Sequence, residues 1–214
     1  MASKVQQFVF SPFQENSFVV YDETKECVII DPGCFTNVER NELKKFIESN
    51  DLKPVALWNT HSHLDHVFGN AFVQRTWGLT PQVHPKDKRV YDMFEATVAV
   101  YQIMGAETPP EPEYNLAEGK DVSFGNSTFK VHFLPGHCPG HVAFENVDDN
   151  YIIVGDVLFQ RSIGRTDLPG GDQQTLMDSI HNKLMKLDLS HKVYCGHGET
   201  TTLKEEKEHN PFLN

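Results

Sequence analysis

The chain has 214 residues, a formal charge of −11 and no basic cluster. A domain that grips phosphate backbones carries a basic patch, so nucleic acid is excluded as an expected partner. No apolar run nears the roughly 20 residues that cross a bilayer, and the opening residues lack the apolar stretch of a signal peptide. The sequence therefore reads as a cytoplasmic protein without membrane association, one domain spanning 1–214.

The first third is rich in strand signals. Val5–Phe10, Asn16–Asp22 and Glu26–Asp31 are β-branched or aromatic runs separated by turn residues. Cys27-Val-Ile-Ile has no polar alternation, which predicts a strand covered on both faces. Thr36 and Glu39 are spaced as a capping box, and Val38, Leu43, Phe46 and Ile47 fall on one face of the helix that would follow. A short strand, Val55–Asn59, runs into Thr-His-Ser-His-Leu-Asp-His. Helices are predicted over Val67–Thr76 and Lys86–Met104, and the proline-rich stretch from Thr108 reads as a stiff loop. Strands return at Asp121–Phe124, Thr128–Leu134, His141–Asn146 and Tyr151–Gly155. Asp172–Leu187 carries an apolar stripe at helical spacing, Lys192–Cys195 reads as a last strand, and a charged helix is predicted over Thr202–His209. Two strand clusters, each closed by helices, predict an α/β fold of four layers, with two packed sheets inside and helices outside.

Chemistry concentrates at the run from Thr60 to His66. Four metal-capable side chains, His61, His63, Asp65 and His66, follow a strand directly. On an extended segment His61 and His63 point the same way, while Asp65 and His66 reach a second point in space. A polar surface loop would rarely gather four such groups, and burying them without a metal is costly. His137, Asp156 and His197 each stand beside glycine at the end of a predicted strand. Five histidines and two aspartates suit Zn, Fe or Mn, and the lack of a cysteine ligand argues against a closed structural zinc site. Seven ligands are too many for one tetrahedral ion and suit two ions sharing a carboxylate, able to activate a hydroxide at neutral pH.

Taken in order, T-H-S-H-L-D-H at 60–66, G-H-C-P-G-H at 136–141, G-D at 155–156 and G-H-G at 196–198 resemble the metallo-β-lactamase fold superfamily over nearly the whole chain. Within it the chain looks most like the short, single-domain glyoxalase II type, similar to the hydroxyacylglutathione hydrolases. Asn16-Ser-Phe-Val-Val and Ile30-Asp-Pro-Gly also look like that group. The resemblance implies an αββα sandwich with the metals at one edge. It implies one divalent ion on His61, His63 and His137, a second on Asp65, His66 and His197, and Asp156 bridging, with Zn2+ the first choice. A hydroxide between the ions, oriented by Asp65, would attack the carbonyl of a small-molecule acyl thioester. Glyoxalase II enzymes also carry a C-terminal helical region that binds glutathione, and those contacts are not carried over, because few residues follow His197.

The runner-up is a persulfide dioxygenase, which shares the fold and would hold one iron on His61, His137 and Asp156; Gly164-Arg-Thr-Asp is similar to a stretch of that family. A lactonase or other ester hydrolase of the fold is a further alternative. Arg165 is a candidate clamp for a substrate carboxylate, balanced against a salt bridge within its own loop. His141 reads as a support behind the ligands and Asp31 as a hydrogen-bond acceptor for the metal loop. Cys138 and Cys195 stand near predicted ligands without an assigned role, and all four cysteines read as reduced thiols.

Overall fold

The computed structural model describes residues 3–213. In the first half the chain forms β1 (Lys4–Phe10), β2 (Glu15–Tyr21), β3 (Glu26–Ile30), α1 (Asn37–Ser49), β4 (Lys53–Trp58), α2 (Leu64–Val67), α3 (Asn70–Trp77), β5 (Pro81–Val83), α4 (Lys88–Asp92), α5 (Phe94–Val100) and β6 (Glu113–Tyr114). Its strands make one sheet in simple order from β1 to β6, antiparallel as far as β3 and parallel thereafter. The capping box opens α1 as read from the sequence: the Thr36 hydroxyl accepts from the Glu39 amide, and the Glu39 carboxylate accepts from the Thr36 amide.

The second half adds β7 (Val122–Phe124), β8 (Ser127–Phe133), β9 (Val142–Asn146), β10 (Tyr151–Gly155), a hairpin of β11 (Leu158–Phe159) and β12 (Ser162–Ile163), α6 (Gln173–Asn182), β13 (Lys192–Cys195), β14 (Thr201–Thr202) and α7 (Leu203–His209). The second sheet runs β14-β13-β10-β9-β8-β7, with β10 and β13 parallel.

Strand alternation decides what lies between the sheets. Phe18, Val20, Val28, Ile30 and Trp58 of the first sheet meet Phe129, Val131, Val142, Phe144 and Ile153 of the second in one buried cluster. Intervening residues point outward: Val19, Ile29 and Leu57 pack under Leu43 and Ile47 of α1 and Val73 of α3. On the far side Ile152, Val154 and Val193 pack under Leu176 and Ile180 of α6 and Leu203 of α7. The fold is therefore an αββα sandwich, the four-layer α/β arrangement expected from the sequence.

Some boundaries differ from the sequence reading. The helix predicted over Lys86–Met104 is a 3₁₀ turn at Pro85–Asp87 followed by α4 and α5, which meet at Met93, and it stops at Val100 because Gln102 takes a left-handed φ of 54°. The helix predicted over Asp172–Leu187 ends at Asn182, where Lys183 leaves helical geometry before a 3₁₀ turn at Leu184–Lys186. The helix predicted at Val67–Thr76 is split at Gly69 into α2 and α3. Strands β5, β6, β11, β12 and β14 are only two or three residues long, too short for a periodic signal. Among the described residues no helix is long and apolar enough to cross a membrane.

Candidate metal centre

The loops leaving β4, β8, β10 and β13 converge at one edge of the sandwich. His61 and His63 come from the loop after β4, and Asp65 and His66 from the short α2 that follows it. His137, Asp156 and His197 follow β8, β10 and β13. All seven predicted ligand residues are brought together. The nitrogens of His61, His63 and His137 lie within 4.8 Å of one another, as do the ligand atoms of Asp65, His66 and His197. Asp156 stands between the trios: Oδ1 is 3.4 Å from His66 Nε2, and Oδ2 is 3.5 Å from His137 Nε2 and 3.6 Å from His197 Nε2.

Hydrogen bonds on the far side of each ring fix which nitrogen faces the centre. His137 Nδ1 donates to the Arg165 carbonyl at 2.7 Å and His197 Nδ1 to the Gln14 carbonyl at 3.2 Å. His66 Nδ1 lies 3.1 Å from Asp31 Oδ2, and His61 Nδ1 lies 3.0 Å from the Thr60 hydroxyl. Because the Thr60 hydroxyl donates to Asp31 Oδ2 at 2.6 Å, it accepts from His61. In these four rings Nδ1 is engaged behind the ring and Nε2 is the nitrogen turned inward, the orientation a metal ligand needs. His63 instead turns Nδ1 inward, 2.8 Å from His137 Nε2.

The residues fit a pair of divalent ions. His61 Nε2, His66 Nε2 and Asp156 Oδ1 are buried and have no hydrogen-bond partner. Orphaned buried acceptors of this kind are costly unless a cation meets them. The chemistry agrees, since imidazole and carboxylate donors suit Zn, Fe and Mn.

Two glycines make room for this geometry. Gly155 takes φ +50°, and a Cβ there would stand 2.8 Å from His141 Nε2. At Gly196 a Cβ would overlap Asp156 Oδ1.

Asp31 and His141 stand behind the ligands. Asp31 accepts from the Thr60 amide at 2.7 Å as well as from its hydroxyl, and faces His66. His141 Nε2 accepts the Asp156 amide at 3.0 Å, and its ring stacks on His61 with centroids 4.7 Å apart. Asp31 can also be grouped with His61 and His66 as a ligand set. We read it as a support, because both its oxygens already serve Thr60 and His66. Asp31→Asn keeps shape and left-handed backbone but removes the charge behind His66. It should cost roughly 10–100-fold in metal affinity, measured by competition with a chromogenic chelator.

The groups divide by charge. Burial, then the neighbouring imidazoles, hold His61 and His141 well below the ordinary imidazole value, and His63 down to about 3. Burial also opposes charge on His66 and His197. There the carboxylates win, with Asp156 and Asp65 raising His66, and Asp65 and Asp156 raising His197. Burial likewise opposes ionisation of Asp65 and Asp156, but the pull of His66 and its neighbours outweighs it and keeps both carboxyls below the usual range.

These shifts predict how the metal-free protein responds to acid. Unfolded histidines bind protons below pH 6.5 that folded His61, His63 and His141 refuse. Their contribution to stability is complete above pH 6.5 and is lost as pH falls toward about 3. Glu15 and Asp87, whose carboxyls burial pushes up, act in the opposite sense, while His84, also held down by burial, adds to the histidines. The melting temperature of chelator-treated protein should therefore fall steadily from pH 6.5 to pH 4.5; a flat profile would contradict it.

Arg165 does not reach into the centre. Its guanidinium makes a bidentate pair with Asp167, at 2.7 and 2.6 Å, so the bridge within its own loop is what forms. Burial pushes the thiols of Cys138 and Cys195 up, Cys195 to about 12, so neither is a thiolate at neutral pH.

Several residues here were not singled out in the sequence. The Asn16 side chain donates to the carbonyls of Cys195 and Gly198, 2.9 Å each, tying down the His197 loop. Asp87 accepts the Gly140 amide at 3.0 Å and also meets Ser62 and Cys138, joining two ligand loops. Each is a polar residue in an otherwise ordinary stretch, and no spacing marks it. Above the ligands opens a cleft of about 400 Å³ whose walls come from α4 and α5, from the loop before β2, and from the β11–β12 hairpin with the loop after it.

A family model described as the Metallo-beta-lactamase superfamily matches residues 10–197. The hydroxyacylglutathione hydrolase GloC of Haemophilus influenzae is 36% identical over 207 residues, covering 94% of this chain and 94% of that one. The crystal structure of the BLEG-1 B3 metallo-beta-lactamase matches with a TM-score of 0.88 at 35% identity, over 99% of this chain and 100% of that one. TTHA1623, solved in a di-iron-bound form, matches with a TM-score of 0.87 at 36% identity, over 98% of this chain and 100% of that one.

Proposed function

Because the chain belongs to the metallo-β-lactamase superfamily, and is a metallo-hydrolase by that membership, we propose that it hydrolyses acyl thioesters in the manner of the hydroxyacylglutathione hydrolases. Two divalent ions would be held by His61, His63 and His137 on one side and Asp65, His66 and His197 on the other. The observation that carries this reading is the position of Asp156, whose carboxylate faces His137 of one trio and His66 and His197 of the other. Zinc is the proposed metal, with iron and manganese suited to the same donors. When bound, such a pair supplies a nucleophile activated at neutral pH and Lewis acidity for the carbonyl oxygen.

The protein's own groups do the rest. The far-side hydrogen bonds of His61, His66, His137 and His197 hold the rings in place. Asp65, ionised and bordering the cleft, would orient the attacking water. The cleft walls would exclude bulk solvent from the reacting carbonyl. We take the whole chain as one such domain. We place it in the cytoplasm, a reading supported by four cysteines that are all free and buried.

The test is metal content of protein purified without chelators, together with loss of thioester absorbance on a panel that includes S-D-lactoylglutathione. Two ions per chain with thioester turnover is the expected result. One iron, no hydrolysis and oxygen uptake on glutathione persulfide would overturn it in favour of the dioxygenase. Turnover confined to β-lactams or lactones would overturn it in favour of another hydrolase of the fold.

A further inference from the structure

The cleft over the ligands is built mainly of aromatic and aliphatic side chains. Phe13, Met93, Phe94, Tyr101, Phe159 and Ile163 face it from separate segments. Beyond the ligand cluster its uncharged polar groups are few, Ser62, Thr97 and Ser162 among them. The one lysine or arginine among its described lining residues is Arg165, and the guanidinium of Arg165 is already committed to Asp167 through two hydrogen bonds. The two carboxylates in the wall, Asp65 and Asp156, belong to the ligand cluster, and the whole chain carries −11.

Such a wall discriminates by desolvation. An apolar group entering it gains burial against aromatic and aliphatic surface. A carboxylate entering it gives up water and finds no free cation away from the ligands, which is costly. Glutathione carries carboxylates at its ends. A thioester of a neutral thiol with an apolar acyl group carries none.

We propose that this cleft selects thioesters whose acyl and thiol portions are uncharged and largely apolar, and works against thiols that bear carboxylates, glutathione included. The inference rests on the thioesterase reading and narrows it. Arg165 is held out of use by Asp167, so the pair acts as a filter at the mouth: freeing the guanidinium admits anionic thiols.

The experiment keeps the acyl group constant and changes the thiol. Hexanoyl-N-acetylcysteamine and S-hexanoylglutathione are compared on the metal-loaded enzyme, followed by thioester absorbance. The kcat/KM for the neutral thiol should exceed that for the glutathione thioester by roughly tenfold or more. In Asp167→Ala, a change at an exposed position, the gap should narrow through a lower KM for S-hexanoylglutathione. Tyr101→Ala, which removes one aromatic wall at a half-exposed position, should instead raise KM for hexanoyl-N-acetylcysteamine by roughly threefold or more.

Equal or better turnover of the glutathione thioester would overturn the inference and leave the thioesterase reading standing. No turnover of either substrate by protein carrying both ions would overturn the thioesterase reading itself, and the inference with it.

Discussion

Asp156→Ala should leave a folded protein that retains at most about one of two ions and loses roughly 10³-fold or more in kcat/KM. The expectation follows from where the carboxylate sits. It faces His66 through one oxygen and His137 and His197 through the other, at 3.4–3.6 Å. Asp31 also lies near a ring of each trio, His61 and His66, but its oxygens already serve Thr60 and the far side of His66. Its removal also strips His66 and His197 of a countercharge, since Asp156 is among the groups that hold both imidazoles up. Elemental analysis of the purified variant, with kcat/KM measured in parallel, checks both halves of the statement. Near-normal metal content with near-normal turnover would remove Asp156 from the centre. Asp156→Asn is the companion variant: it keeps the volume and one acceptor oxygen, so it should lose less metal than the alanine.

The second large effect is on stability. Trp58→Ala should cost about 3–5 kcal/mol in urea denaturation of the metal-free protein, out of a total of about 5–15 kcal/mol for a typical domain. Trp58 is 1% exposed at the centre of the layer between the sheets. It stacks on Phe144 with centroids 5.2 Å apart and meets Phe129 edge-on at 5.6 Å. Its backbone carbonyl accepts the Asp31 amide at 3.0 Å, so it also sits directly beneath the ligand loops. The indole fills a gap that neither sheet can close by sliding, because strand register sets both faces at once. A loss below about 1 kcal/mol would mean that the two sheets do not depend on this contact.

Much of this architecture was written in local pattern. Runs such as Cys27-Val-Ile-Ile and Tyr151-Ile-Ile-Val announce strands because burial on both faces demands apolar side chains without alternation. The ligand residues stood out because four metal-capable groups in six positions have no cheaper structural explanation. What escaped notice is what depends on assembly. Phe13, Tyr101 and Phe159 are far apart in the chain and, read singly, each is an ordinary core aromatic. They become a wall only when the loop before β2, the end of α5 and the β11–β12 hairpin meet. Asn16 and Asp87 were placed only within a predicted strand and a predicted helix, and their roles are set by ligand loops whose positions the sequence does not display. Arg165 was balanced between substrate and loop partner, and in the structure its guanidinium pairs with Asp167, two residues along the chain. The break of the predicted 86–104 helix escaped for a different reason: helical periodicity continues through Met93, and only the left-handed turn at Gln102 ends it.

The clasp between Asn16 and the His197 loop sets the order in which the molecule can be completed. The partners it joins are 179 and 182 residues apart, and β13, which carries that loop, packs between β10 and β14. A chain emerging from the ribosome displays His61, His63, Asp65 and His66 long before the residues that complete either trio exist. Contacts of such long range close late and slow folding. Neither trio can therefore be completed until the second half of the chain is being made, and the second trio not until β13 is in place.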